Sequence, residues 1–321
     1  MDAHSHRSTW KTLLAFAIIY FVWGSTYLAI RVGVGEFPPL LMAALRFIIA
    51  GAVLYAWAFV RRQRSPDRRQ WASISLLAVL FILLDYGLVF WAEQRVPSGV
   101  TAVMMATIPL FIALCEITIL RTQALTLRLA LALLAGIAGV AVLASRSSFV
   151  AGTPIDPYGA LALILGSLSW AIGTVLTRKL SLPSSKVVSS AAQMFTGGIF
   201  LSLAAAAFGE FRNFHPATIS RAAWLSLVYL IVAGSIIAFT AYQWLVHHES
   251  PTKVGTYAYV NPVVAVLLGY FLLGESLGLR TILGTLLVLV SVLAITTARA
   301  AKTSPSPAVE AAAKAAADAA E

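Results

Sequence analysis

TYAYVNPVVAVLLGYFLLGE, residues 256–275, is an apolar run of helix length that an Asn-Pro pair interrupts at Asn261 and Pro262. Pro262 has no backbone N–H, so it leaves the carbonyl group of Ala258 without its helical donor. A bilayer offers no water to that carbonyl group, so such a break is tolerated where the helix packs against protein or lines a cavity. The stretch therefore predicts a membrane helix that faces other helices, or a cavity, at its break.

A second proline, Pro109, interrupts another apolar run at a matching place. Each proline follows a tryptophan by 18 residues, Trp91 in the first case and Trp244 in the second. Paired interruptions in two halves of a chain are typical of a transporter's binding site. Proline is also common in membrane helices, so two packing kinks are the alternative interpretation.

The composition excludes an ordinary soluble domain, because 60% of the 321 residues are hydrophobic and only 11% are charged. A helix needs roughly 20 apolar residues to cross a bilayer. Enough runs qualify to predict an all-α polytopic membrane protein with ten transmembrane helices. The runs are 11–30, 38–60, 71–92, 99–120, 127–145, 158–177, 187–208, 222–246, 254–274 and 281–298.

The formal net charge of +10 comes from Lys and Arg in short loops beside apolar runs. This placement is typical of topology determinants and argues against nucleic-acid binding. Most of these residues fall on the side of the N-terminus, so both termini are predicted to be cytoplasmic. Cys115 is the only cysteine and lies within a span, so an intrachain disulfide and a cysteine-built metal site are excluded. No cofactor and no metal site are predicted.

The chain also repeats itself. Five spans per copy is an odd number, so the second copy must enter the membrane upside down, which gives two inverted five-helix repeats. An offset of 147 residues relates Trp23 to Trp170, Tyr27 to Thr174, Arg31 to Arg178, Ala44 to Ala191, Arg46 to Gln193 and Gly51 to Gly198, and an offset of 153 relates Pro109 to Pro262. The predicted units are a cytoplasmic lead (1–10), the first repeat (11–145), a linker (146–157), the second, inverted repeat (158–298) and an Ala-rich cytoplasmic tail (299–321).

Substrate is predicted to bind where the two copies face each other. Arg46 lies eight residues past Pro38, about 12 Å into the membrane. Asp85 lies at a similar depth, so the two side chains are predicted to pair or to share a polar network, and Asp85 is the candidate for proton coupling. The candidate substrate-binding residues are Trp23, Tyr27, Arg46, Trp170, Thr174, Gln193, Tyr257 and Asn261, with helix breaks at Pro109 and Pro262. Simple packing is the alternative role for each aromatic residue.

Four stretches resemble the EamA-type family of the drug/metabolite transporter superfamily. They are WGSTYLAIRVG (23–33), FPPLLMAALRFIIAG (37–51), VPSGVTAVMMATIPLF (96–111) and YAYVNPVVAVLLGYFLLGE (257–275). The resemblance implies a ten-helix carrier of the inner membrane, usually an exporter of metabolites or drugs. One departure is that Gly274-Glu275, which is typical of both copies in the family, is matched by Arg121-Thr122 in the first copy.

The chain lacks the sequence motifs of the common enzyme classes and the P-loop of an ATP-driven pump. The leading hypothesis is therefore a secondary transporter that works by alternating access and carries small amphipathic molecules, which aromatic faces, Asn and Tyr suit. Its expected partners are a small-molecule substrate and the lipid bilayer, and homodimerisation is left open. The alternative is a membrane-embedded enzyme acting on lipid-linked substrates, for which His247, His248 and Glu249 are the candidates.

Overall fold

The computed structural model describes residues 9–120, 125–144, 155–248, 254 and 257–303. Within these ranges the regular structure is helical and no β-strand occurs. Most of the predicted lead (1–10), linker (146–157) and tail (299–321) lies outside the described residues. We call the helices before the linker the first half and those after it the second half.

Seven helices in the described ranges are long and apolar enough to cross a bilayer. They are α1 (Trp10–Val34), α2 (Pro39–Val60), α3 (Arg68–Ala92), α4 (Ser98–Ile119), α6 (Pro157–Thr177), α7 (Lys186–Ala207) and α8 (Arg221–Tyr242, continuing to His248). Helices α5 (Leu127–Ala144), α9 (Tyr257–Leu273) and α10 (Leu279–Thr303) contain shorter apolar stretches. Because spans of this length match the hydrocarbon thickness, the chain is a multi-pass membrane protein.

Large apolar side chains cover the outside of the helices. Phe59, Leu203 and Phe271, for example, are 73%, 63% and 73% exposed. Such a surface suits lipid tails, which are as apolar as the side chains themselves. Burial of apolar surface then gives little drive for helices to associate, so association depends on close packing of small residues and on interhelical hydrogen bonds.

The closest packing between the halves is at two glycines, where α2 crosses α7. A Cβ atom on Gly51 would lie 2.9 Å from the carbonyl oxygen of Ala191, and a Cβ atom on Gly198 would lie 3.2 Å from that of Ala44. Only glycine permits backbones to approach this closely. The two contacts run in opposite order along the two helices, so α2 and α7 are antiparallel where they meet.

Four segments inside the spans are wound as π-helices. Two of them are eight residues long and lie 151 residues apart, Val79–Tyr86 in α3 and Leu230–Ile237 in α8. Shorter segments occur at Ile18–Val22 in α1 and Glu116–Leu120 in α4. π-Helical turns inside α-helices are frequent at functional sites. Here the two long segments carry Asp85 and Ser235.

The two prolines act differently on their helices. Helix α4 is interrupted by a turn at Ala106 and Thr107, just before Pro109, and the Thr107 hydroxyl donates to the carbonyl oxygen of Met104 at 2.6 Å. Helix α9, in contrast, runs unbroken through Pro262. The break predicted at Pro262 is therefore wrong, because the helix tolerates the missing donor there without ending.

Most helices in the described ranges that start at a polar N-cap receive a side-chain hydrogen bond at their first turn. The N-cap residues that supply one are Asp67, Asp156, Ser185 and Ser220. Pro38 and Pro97, which precede α2 and α4, supply none. The first N–H groups of α2 and α4 therefore need acceptors from elsewhere in the chain.

Candidate functional site

Trp23 in α1 packs against aromatic side chains of two helices of the second half. Its ring centroid lies 5.2 Å from that of Tyr242 in α8 and 5.3 Å from that of Tyr257 in α9. Its indole N–H donates to the carbonyl oxygen of Gly234, 3.1 Å away in the π-segment of α8. We call Trp23, Tyr242 and Tyr257 the Trp23 group.

Asn261 lies on the same helix as Tyr257, and its amide faces backbone atoms. In the orientation that satisfies its hydrogen bonds, the side-chain nitrogen donates to the carbonyl oxygens of Tyr20 and Tyr257, each 3.2 Å away. The carbonyl group of Ala258, which Pro262 leaves without its helical donor, is not one of these two acceptors. Asn261 thus ties α9 to the π-segment of α1, directly beside the Trp23 group.

Trp170 in α6 forms the counterpart of the Trp23 group in the other half. Its ring centroid lies 4.7 Å from that of Phe81 and 6.1 Å from that of Tyr86, both in the π-segment of α3. We call Trp170, Phe81 and Tyr86 the Trp170 group. Trp23 and Trp170 are the residues that the offset of 147 relates, and each packs on aromatic rings of the opposite half.

Arg46 lies between the two aromatic groups and is only 2% exposed. Its Nε donates to the hydroxyl oxygen of Ser235 at 2.9 Å. Its guanidinium carbon lies 5.1 Å from the ring centroid of Tyr86 and 4.8 Å from that of Phe47. Ser235 follows Gly234, which accepts from the Trp23 group, so Arg46 is linked to both groups.

Asp85 is also 2% exposed, but it does not pair with Arg46. Asp85 Oδ1 and Arg46 Nη1 are both buried, and neither has a hydrogen-bond partner. A Cβ atom on Gly166 would lie 3.3 Å from Asp85 Oδ1, so this carboxylate faces α6, whereas Arg46 faces α8. The direct ion pair is therefore absent, because equal depth fixes the height of a side chain but not the helix face it occupies, whereas a polar network shared by the two side chains stays a prediction.

Three other candidates bond or pack locally. The Thr174 hydroxyl donates to the carbonyl oxygen of Trp170 at 2.9 Å, and the Gln193 amide donates to the Ser189 hydroxyl at 3.0 Å, each within its own helix. Tyr27 packs against the main apolar core. The contacts between helices are therefore made by the other candidates, and these three bond or pack locally. The other candidates are Trp23, Trp170, Arg46, Tyr257 and Asn261.

The residues considered for an enzyme site lie at the end of α8. The ring of His248 stacks on that of Trp244 with centroids 4.2 Å apart, and its Nδ1 lies 2.7 Å from the carbonyl oxygen of Trp244. Glu249 and the side chain of His247 lie outside the described residues. Within the part of the chain that the structure describes, no three His, Cys, Asp or Glu residues are grouped to hold a metal ion.

Glu275 joins the halves at one end of the helix bundle by capping α4. Its Oε1 accepts from the Ser98 backbone N–H and hydroxyl group at 2.7 and 2.8 Å, and its Oε2 accepts from the Gly99 N–H at 3.1 Å. Gly274 has a φ of 66° and turns the chain after α9 so that Glu275 reaches this position. The carboxylate replaces the cap that Pro97 does not supply.

Two more glutamates cross between the halves at the same end. Glu210 accepts from the N–H groups of Leu40 and Leu41, at 3.3 and 2.8 Å, and so caps α2. Glu36 accepts from the N–H and hydroxyl groups of Ser220, both at 2.6 Å. Burial raises the pKa of Glu210 against the opposing effect of its hydrogen bonds, whereas the hydrogen bonds from Ser220 lower the pKa of Glu36. We call this the glutamate-capped end; it is defined by Glu36, Glu210 and Glu275.

The opposite end is held by different bonds. Arg178 Nη1 lies 3.0 Å from Glu116 Oε1, and the Arg178 side chain is 60% exposed. The Ser185 hydroxyl donates to the side-chain oxygen of Gln63. The Gln70 amide also donates to the carbonyl oxygen of Leu182 at 3.5 Å. Among the described residues, the side-chain bonds between the halves at this end thus include one partly exposed ion pair and two neutral hydrogen bonds.

A surface groove of about 450 Å³ lies away from Arg46 and the aromatic groups. It is lined by Leu127, Arg128, Leu131, Ala132, Ala135, Val290, Ser291 and Ala294. These residues belong to α5 and α10, whose outer faces carry exposed leucines. We therefore treat it as a lipid-facing groove and locate the candidate site at Arg46.

Sequence reasoning missed Tyr242, Ser235 and the capping role of the three glutamates. Nothing in the run of α8 marks Ser235, because one serine in an apolar helix has no pattern of its own. A signal for the glutamates did exist. Pro38 and Pro97 stand where a helix N-cap is expected and carry no side-chain acceptor, which indicates that acceptors come from another segment.

Comparison with known proteins places these features in a family. The model of the EamA-like transporter family matches residues 10–145 and 157–297. An uncharacterized inner membrane transporter, YedA, from Escherichia coli (strain K12) is 39% identical over 264 residues, which cover 82% of this chain and 83% of YedA.

More distant relatives cover similar shares of the chain. An uncharacterized transporter of Archaeoglobus fulgidus is 26% identical over 90% of this chain and 98% of its own length. Protein PecM of Dickeya dadantii is 27% identical over 83% of this chain and 86% of its own length. A solved crystal structure with 21% sequence identity covers 92% of this chain and 99% of its own at a TM-score of 0.59, which shows a shared fold.

Proposed function

Because the chain belongs to the EamA-like transporter family, we propose that it is a secondary transporter that exports small amphipathic metabolites or drugs. The observation that carries the proposal is the central arrangement of two aromatic groups, each built across the two halves, with the buried Arg46 between them. Aromatic faces supply apolar and cation–π contact to such substrates. The family and the names of the relatives favour a transporter over an enzyme.

The proposal includes ten spans arranged as two inverted repeats. The antiparallel, reciprocal contact of α2 with α7 supports it, because Gly51 meets Ala191 where Gly198 meets Ala44. The two π-segments of equal length in α3 and α8 support it as well. The repeats are proposed at 11–145 and 158–298, and the family model matches two segments close to these limits.

Alternating access then consists of one half rocking against the other around the site. Opening at the glutamate-capped end separates carboxylates of one half from N–H groups of the other, and opening at the opposite end separates Arg178 from Glu116. Asp85, which faces the second half at Gly166, is the proposed group for proton coupling. The variant Asp85→Asn is expected to change the pH dependence of transport, and an unchanged profile would contradict this role.

We place the protein in the inner membrane with both termini in the cytoplasm. YedA is named as an inner membrane transporter, which supports the choice of membrane. The distribution of Lys and Arg supports the orientation of the termini. The glutamate-capped end is then on the outer side.

The test is an untargeted comparison of metabolites in cells and medium, with and without overexpression of the chain. Export predicts that a defined set of compounds falls inside and rises outside. Tyr257→Ala should reduce this shift while the protein still inserts and purifies. Tyr270→Ala is the matched control, because this tyrosine lies on the same helix but is 46% exposed on the outer surface.

Two results would contradict the proposal. One is that no compound changes its distribution between cells and medium. The other is that proteoliposomes loaded with a shifted compound form a product instead of losing the compound, which favours the enzyme acting on lipid-linked substrates. Equal loss of transport in Tyr257→Ala and Tyr270→Ala would show that the effect is not specific to Tyr257, so the substrate site would not lie there.

A further inference from the structure

Arg46 is a buried cation in the middle of a span, and no carboxylate is paired with it. In the described ranges, the only ion pair within 4.0 Å joins Arg178 and Glu116, at one end of the bundle. A charge deep in a bilayer is costly and normally has a partner. The position of Arg46 therefore calls for an anion that the chain's own side chains do not provide.

Two other buried charged groups, the carboxylates of Asp85 and Glu93, form no ion pair with Arg46. Asp85 faces Gly166 in α6, and its Oδ1 has no hydrogen-bond partner. Glu93 is completely buried at the end of α3, and neither of its carboxylate oxygens has a hydrogen-bond partner. Neither carboxylate is therefore bonded to the guanidinium group.

The side chains around Arg46 hold its guanidinium group in place and leave one of its terminal nitrogens, Nη1, without a partner. Phe47, Tyr86 and Phe90 have ring centroids 4.8, 5.1 and 6.0 Å from the guanidinium carbon. Nε donates a hydrogen bond to the Ser235 hydroxyl oxygen, whereas Nη1 is buried without a partner. A planar guanidinium group that is fixed in this way presents N–H donors in the geometry that carboxylates and phosphates match.

An apolar surface lies one residue away from the Ser235 anchor. Gly234 accepts the indole N–H of Trp23, whose ring packs on Tyr242 and Tyr257. A ligand with an oxyanion at one end and an aromatic or aliphatic body at the other can contact Arg46 and this surface together. The matching position in the second half is Gln193, which is neutral and bonds to Ser189 in its own helix. Of these two matching positions, therefore, only the one in the first half carries a cation.

We propose that Arg46 binds an oxyanion, foremost a carboxylate, of the transported molecule, whose apolar body lies against the Trp23 group. The substrates are then organic anions. The inference rests on the proposed transport function and narrows its substrate class, because neutral and cationic amphipathic molecules would leave the buried charge of Arg46 without a counter-charge.

The test compares probes that share a body and differ in charge. Phenylacetate, indole-3-acetate and hexanoate are each paired with their uncharged amide, and their binding to the purified full-length protein is followed by thermal shift and by tryptophan fluorescence. At least one carboxylate is expected to bind about ten-fold more tightly than its amide. Arg46→Gln should abolish that preference, and Arg46→Lys should retain part of it.

Arg95→Gln is the matched control, because Arg95 also lies over an aromatic ring, 4.0 Å from the centroid of Trp91, but is exposed outside the span. It should leave the preference unchanged. If Arg46→Gln does not fold, Ser235→Ala provides the second variant. It keeps the charge, removes the Nε acceptor and is expected to weaken carboxylate binding several-fold while binding of the amide stays constant.

Absence of a carboxylate preference in every pair overturns the inference, as does a preference that survives in Arg46→Gln. The metabolite comparison separates this failure from failure of the proposed function. If the wild-type chain exports neutral or cationic compounds only, the transport function is supported and the anion site is contradicted. If the chain exports nothing, the proposed function falls and the substrate class falls with it.

Discussion

The two ends of the helix bundle are joined by different chemistry. At the glutamate-capped end, Glu36, Glu210 and Glu275 each accept backbone N–H groups of the other half. At the opposite end, Arg178 and Glu116 form an ion pair whose arginine is largely exposed. Charge-assisted bonds to helix N-termini are stronger and better defined in geometry than an exposed ion pair.

This difference follows from how the helices begin. Helices α2 and α4 both start at the glutamate-capped end after a proline that supplies no side-chain acceptor. At the opposite end, α3 and α7 start with their own caps, Asp67 and Ser185. The first pair of helices depends on the other half for its caps, and the second pair does not. Helices α6 and α8, which also start at the glutamate-capped end, are capped by their own Asp156 and Ser220. Closure of this end therefore completes the first turns of α2 and α4 only.

The contact between α2 and α7 lies between the two ends, so disrupting it should loosen both. A Cβ atom on Gly51 would lie 2.5 Å from the backbone nitrogen of Phe195, and one on Gly198 would lie 2.7 Å from that of Ile48. The double variant Gly51→Ala/Gly198→Ala should lower the free energy of unfolding by about 1–3 kcal/mol for each site, since overpacking costs this much. Thermal unfolding of the purified protein measures the loss.

Gly35→Ala is the control for that experiment, because its nearest neighbour would be 3.4 Å from the new Cβ atom. It should change the unfolding temperature little. A double variant as stable as Gly35→Ala would mean that the halves do not meet at these glycines.

Removal of one carboxylate should affect the glutamate-capped end alone. Glu275→Ala leaves three donors of Ser98 and Gly99 without their acceptor. The expected loss in the free energy of unfolding is about 1–3 kcal/mol. In a Cys115→Ala background, thiol labelling of a cysteine placed at Val96, which is buried just before α4, should become faster in this variant.

The matching change at the opposite end is Glu116→Ala. Loss of its bond to the exposed Arg178 should cost at most about 1 kcal/mol, as for surface ion pairs. It should also leave labelling at Val96 unchanged. Equal effects of Glu275→Ala and Glu116→Ala on stability would remove the distinction between the ends.

The smallest expected effects are in the pH dependence of stability. The pKa of Glu36 is lowered by the hydrogen bonds from Ser220, so its stabilising contribution is present above the ordinary carboxyl pKa and is lost as the pH falls through the lowered pKa. The pKa of Glu210 is raised by burial, so ionisation opposes folding as the pH rises from the ordinary carboxyl pKa through the raised one.

Unfolding temperatures of the wild type, Glu36→Gln and Glu210→Gln as a function of pH measure both contributions. The difference between wild type and Glu36→Gln should shrink towards acid pH. The unfolding temperature of the wild type should fall relative to that of Glu210→Gln as the pH rises from the ordinary carboxyl pKa through the raised pKa of Glu210. Parallel profiles for the two variants would show that the surroundings of these carboxylates are alike.

Sequence reasoning identified the membrane class and the family, because apolar run length and ordered motifs are local properties of the chain. It also marked Arg46 and the two tryptophans, since a cation or an indole stands out in an apolar helix. It paired Arg46 with Asp85 from their depths, yet the structure separates them onto different helix faces.

The other differences between the sequence-based predictions and the structure also arise from how the helices pack in the assembled fold. Pro262 looked equivalent to Pro109, but a helix can continue through a missing donor when its neighbours support it, and α9 does so. The π-segments of α3 and α8 rotate the residues that follow them, and no residue pattern announces this rotation. The glutamate caps depend on which helix ends meet, which only the assembled fold determines.

We propose that transport requires each end of the bundle to open in turn, and cross-linking the ends shut is the decisive experiment. In a Cys115→Ala background, one variant carries cysteines at Ser98 and Glu275 and a second carries them at Gln63 and Ser185, positions that are hydrogen-bonded across the halves. Each pair is closed by a short thiol-specific bifunctional reagent that a reductant cleaves, and export from proteoliposomes is recorded. Closing either end is expected to stop export, and cleavage is expected to restore it. Export that continues in fully cross-linked protein would show that the ends need not open.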